Sequence, residues 1–96
     1  MKAEIITYET KGMNSSRRSI ISKKLFGFTD RTKESKYVYK REGFLERIAH
    51  VVITKKTIIV SVRNAKEIKK IIRGFGAYVK SWKTEISRNE MRKRYG

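Results

Sequence analysis

The sequence predicts one α+β domain: a mainly antiparallel sheet of roughly four to five strands, a pair of helices packed on it, and a short C-terminal helix. Three observations carry that expectation. The chain has 96 residues, the size of one domain with a modest core. β-branched and aromatic segments recur at 3–8, 36–41, 49–62 and 77–86, bounded by Gly and Lys-Lys turns. Helical spacing is confined to 14–26 and 64–73, so isolated helices interrupt runs of strands. The expected order is β-α-β-β-β-α-β-α.

Ala3-Glu4-Ile5-Ile6-Thr7-Tyr8 is the opening strand, stopped at Lys11-Gly12. Asn14-Ser15-Ser16 offers caps for a helix reaching Phe26, with Ile20, Ile21, the stem of Lys24 and Leu25 on one stripe and Gly27 where a helix ends. Phe28–Ser35 has no period and reads as an exposed loop. Lys36–Arg41 alternates strictly, placing Tyr37 and Tyr39 on one face and Lys36, Val38 and Lys40 on the other. Gly43 breaks it, and Phe44–Ile48 fits either a strand or one helical turn.

Ala49–Thr54 and Thr57–Val62 form a hairpin about Lys55-Lys56. Its Val51, Val52, Ile53, Ile58, Ile59 and Val60 suit burial on both faces, so the hairpin is expected at the sheet centre. Asn64-Ala65-Lys66-Glu67 has capping-box spacing. Ala65, Ile68, Ile71 and Ile72 then face inward, Lys66, Lys69, Lys70 and Arg73 face outward, and Gly74 ends the helix. Ala77–Ile86 is the last strand, with Tyr78, Lys80, Trp82 and Thr84 on one side. Ser87-Arg88-Asn89-Glu90 is a second capping box opening a short basic helix or tail over 87–96. Its Arg92-Lys93-Arg94 suits a helix C-terminus.

Charge narrows the partner. Lys and Arg number 25 against 9 Asp and Glu, a net charge of +16. A compact body with that excess repels itself until a polyanion neutralises it, and closely spaced phosphates release counterions when cations bind them. Nucleic acid, DNA or RNA, is therefore the expected partner, contacted mainly at phosphates with low sequence specificity. The candidate residues are Arg17, Arg18, Lys23, Lys40, Arg41, Lys66, Lys69, Lys70, Arg73, Arg92, Lys93 and Arg94, with Tyr37 and Tyr39 as stacking platforms. For Trp82 the preferred reading is closure of the core beneath lysine stems.

Arg73-Gly74-Phe75-Gly76-Ala77-Tyr78-Val79 resembles the RNP1 signature of the RNA-recognition motif, once Ala77 is treated as an insertion. Context speaks against it, because a helix leads directly into the segment and too few residues follow. Gly74 and Gly76 read better as a helix stop and a tight lead into a strand. Leu25-Phe26-Gly27-Phe28-Thr29-Asp30, followed by Lys36–Ile48, resembles small basic proteins of thermophilic archaea with no assigned role, which implies no activity. The lack of Gln, Pro and Cys beside many Ile, Lys and Arg is broadly a thermophile's composition, although thermophiles often stiffen loops with Pro.

Other chemistries find little support. Without Cys and with one His, a zinc site lacks ligands; the acids are scattered, and no cofactor signature is present. His50 follows Glu46 by four residues, but on a strand the two are too far apart to act as a pair. No apolar run matches a membrane span and the N-terminus does not read as a signal peptide, so a cytoplasmic protein is expected. Two alternatives remain open. One is a metal-independent ribonuclease resembling small mRNA-cleaving toxins. The other is a structural subunit whose cations meet an acidic protein. A homo-oligomer joined through an exposed edge of the 49–62 hairpin is also compatible with the sequence.

Overall fold

Ile5 and Ile6 are consecutive apolar residues in a strand, so they point to opposite faces, and such a strand belongs inside a sheet. A computed structural model, which describes residues 1–31 and 38–91, places it there. β1 (Lys2–Glu9) leads to α1 (Ser15–Phe26), then β2 (Phe28–Arg31), β3 (Val38–Arg41) and a 3-10 turn (Phe44–Arg47). β4 (His50–Thr54), β5 (Thr57–Ser61), α2 (Val62–Gly74), β6 (Tyr78–Glu85) and α3 (Arg88–Met91) complete the order. The α+β class read from the sequence is the one that forms.

The main sheet is antiparallel throughout, in the order β4-β5-β1-β6. With the β2-β3 ribbon set aside, this is the strand order and connectivity of the ferredoxin-like β-α-β-β-α-β arrangement. Ile6 and Tyr8 of β1, Ile58 and Val60 of β5 and Val79 of β6 meet Ile21 and Leu25 of α1 and Ala65, Ile68 and Ile72 of α2. Leu45 from the 3-10 turn joins the same core. Both long helices therefore cover one face of the sheet. No helix among the described residues is long and apolar enough to cross a membrane.

Several local expectations are corrected. The 49–62 hairpin is not the sheet centre: β4 is an edge, because β1 inserts between β5 and β6. Phe28–Arg31 is a strand rather than loop, paired with β3 from Phe28↔Arg41 to Arg31↔Val38. That pairing comes from a distant segment, which an aperiodic stretch cannot announce. β2 and β3 make their own two-stranded sheet, so β3 does not join the main one.

α2 starts at Val62, ahead of the Asn64 cap that the spacing suggested. β5 runs into it at Ser61, and the Asn64 side-chain amide donates to Ser61 Oγ at 3.1 Å. Asn14 does cap α1, accepting from the Arg17 amide at 2.8 Å, and Ser87 Oγ accepts from the Glu90 amide at 3.1 Å. Ile20 is 40% exposed instead of lying on the buried stripe of α1. At the end of α2, Gly74 is the last helical residue, whereas Gly76 adopts φ 86° and gives its amide to the Arg73 carbonyl. Only a glycine takes that left-handed conformation without strain.

Candidate nucleic-acid interface

Residues three and four apart share a helix face. Arg63, Lys66, Lys70 and Arg73 follow one another at intervals of three, four and three, so they line one side of α2 over about 15 Å. All four are exposed, and Glu67 is the one carboxylate on that helix. α1 carries Arg17, Arg18, Lys23 and Lys24, also exposed, and no acid. The Arg17 guanidinium lies beside Gly76, in the turn after α2, so the first turn of α1 adjoins the Arg73 end of the row. Like charges at this spacing repel unless an anion sits among them.

Lys69 departs from the expected outward set. Its ammonium turns to the sheet, bonding Glu4 Oε1 at 2.9 Å and approaching Ser81 Oγ at 3.5 Å. Glu4 points to the helix-covered side of β1 and is 6% exposed, so Lys69 is the counter-charge of a buried carboxylate. Spacing alone cannot distinguish an outward lysine from one beside the apolar stripe that finds an acid across the interface.

The remaining predicted residues fall into separate groups. Lys23 Nζ lies 5.0 Å from the Phe28 ring centroid. It borders a hollow of about 400 Å³ with Ile20, Lys24, Phe28, Phe44 and Arg47. Lys40 faces Glu46 at 4.0 Å, and Arg41 pairs with Phe28 at the base of the ribbon. Tyr39 stands opposite Asp30 in the same ladder. Tyr37, Arg92, Lys93 and Arg94 lie outside the described residues. His50 is buried, with Nδ1 3.0 Å from the Ile48 carbonyl oxygen, and Glu46, four residues before it, faces Lys40 instead. Among the described residues no His, Cys, Asp and Glu gather into a group able to hold a metal.

Trp82 reverses its expected role. Alternation along β6 sends Val79 and Ser81 toward the helices and Tyr78, Lys80, Trp82 and Thr84 to the opposite face. Trp82 is 54% exposed and Tyr78 65% exposed, with Lys80 Nζ 5.8 Å from the Tyr78 ring centroid. Opposite Trp82 in the sheet stands Ile5, then Ile59, then Val51, an apolar row across that face. The sequence showed which β6 residues share a side, but not that Tyr78 and Trp82 stand exposed on it. Arg63 was also missed, since it precedes the helix start that Asn64 implied. The edge offered by β4 has a register shift between Val52 and Thr54, and such irregularities blunt edge-to-edge pairing. No family model, curated protein or solved structure matches the chain.

Proposed function

We propose that the protein binds nucleic acid, mainly through phosphates and with low sequence specificity. The observation that supports this most directly is the exposed row Arg63, Lys66, Lys70 and Arg73, extended by Arg17 and opposed on α2 by Glu67 alone. A helix surface that needed only solubility would intersperse acids with its cations. Among the described residues no carboxylate forms an ion pair with any of these four α2 cations, and the chain carries a net charge of +16.

The test is a titration of labelled duplex DNA followed by fluorescence anisotropy at rising salt. Neutralising five to eight phosphates gives a log–log slope of roughly −4.5 to −7. A slope near zero, or no binding at low salt, would remove the proposal.

A further inference from the structure

Resting on that reading, we infer that the exposed Tyr78–Lys80–Trp82 strip of β6, on the sheet face away from α1 and α2, is a stacking platform for unpaired bases, so that the preferred ligand is single-stranded nucleic acid. The argument begins with where aromatic surface is left in water. Small domains hide large aromatic rings because each buries a large apolar area. Trp82 and Tyr78 instead stand 54% and 65% exposed on the side of β6 that the helices do not cover. Four residues apart on one face, they are about 13 Å apart along the strand.

Lys80 lies between them, with its ammonium 5.8 Å from the Tyr78 ring centroid. The ammonium over the Tyr78 ring is a cation for a phosphate, beside the exposed Trp82 ring as a stacking face for a base. Beside Trp82 on the same face stand the half-buried Ile5 and Ile59, an apolar border to the strip. Glu9, opposite Tyr78, is the acid of this face among the described strand residues, and it sits at the end away from Trp82. The net charge of +16, with Lys80 on the strip itself, favours a polyanion over an apolar or basic partner; the cation row of α2 and Lys83 of β6 lie on the opposite, helix side of the sheet.

A duplex cannot use such a platform. Its base faces are occupied by one another, and only base edges reach the grooves. Single strands offer free base faces, and stacking on an aromatic side chain tolerates any sequence. The low specificity expected of phosphate contacts is therefore retained.

Trp82 is the only tryptophan, so its emission reports this site directly. Full-length protein is titrated with single-stranded oligothymidylate of roughly 12 nucleotides, with the matching duplex, and with inorganic polyphosphate as a polyanion without bases. The expected result is quenching by the single strand and little by polyphosphate. Trp82→Ala weakens single-strand affinity roughly 5- to 100-fold while Trp82→Phe retains most of it. Duplex affinity is unchanged in both variants. Equal quenching by polyphosphate overturns the inference, as does a Trp82→Ala variant, folded by circular dichroism, with unaltered single-strand affinity. Sedimentation showing self-association that buries Trp82 also overturns it. In each case salt-dependent duplex binding would leave the phosphate-binding proposal standing, whereas failure to bind any nucleic acid removes both.

Discussion

Gly27 and Gly43 meet backbone to backbone at the foot of the β2-β3 ribbon. A Cβ on Gly43 would strike the Gly27 amide nitrogen and the Leu25 carbonyl, and one on Gly27 would strike the Arg41 carbonyl. Gly27 also caps α1 at φ 79° and ψ −178°, a region open essentially to glycine alone. The close approach lets the chain leave α1, form the ribbon and return to the 3-10 turn that delivers Leu45 to the core.

Gly43→Ala should therefore destabilise by roughly 1–3 kcal/mol, and Gly27→Ala by at least as much, because backbone rather than a flexible side chain must move. Gly74→Ala is the contrast: it has open space, and should stabilise by about 0.4–1 kcal/mol. Thermal melts of the three variants check the order.

The Glu4–Lys69 pair is an anchor, separate from the binding row. Lys69→Ala leaves a nearly buried carboxylate alone and should cost about 3–5 kcal/mol, whereas Lys70→Ala should stay within about 0.5 kcal/mol. Replacing both partners, Glu4→Leu with Lys69→Met, should recover most of the loss in urea unfolding.

Lys66→Ala, Lys70→Ala and Arg73→Ala should each reduce the steepness of the duplex salt dependence by about 1. Their stability should hardly change. A series in which every slope matches the parent would remove the α2 row from the interface.

Tyr8 gives a pH dependence. Burial pushes its phenol above the usual tyrosine value, and its hydroxyl donates to the Lys55 carbonyl at 3.2 Å. The folded state then holds the proton more tightly than the unfolded chain. The associated stability is fully present below the unfolded tyrosine value near 10 and is lost as pH rises from there through the folded value. Tyr8→Phe should cost about 1 kcal/mol at neutral pH and flatten the decline in stability at alkaline pH.

Asn14 and Asn64 look alike as caps in the sequence, yet Asn14 alone accepts a first-turn backbone amide as the N-cap of its helix. Asn14→Ala should cost about 1 kcal/mol, and Asn64→Ala clearly less. Denaturant midpoints of the two variants decide this.

Much was legible where a local period carries the information. Ala65, Ile68 and Ile72 announced the buried side of α2, and alternation assigned Tyr78, Lys80 and Trp82 to one side of β6. Phe28–Arg31 had no such signal, because its strand character depends on pairing with 38–41 across the ribbon. The central place of β1 was likewise hidden: Ile5 and Ile6 suit an inner strand, but nothing local names β5 and β6 as its neighbours.

By itself the sequence determined the excess of cations, the α+β class and the residues that travel together on each helix and strand. The tertiary structure decided which of those sets meets water. Periodicity is a property of neighbouring residues, whereas covering one face of the sheet requires α1 and α2 to dock from far along the chain. That docking turned Lys69 inward onto Glu4 and left Trp82 exposed on the opposite face.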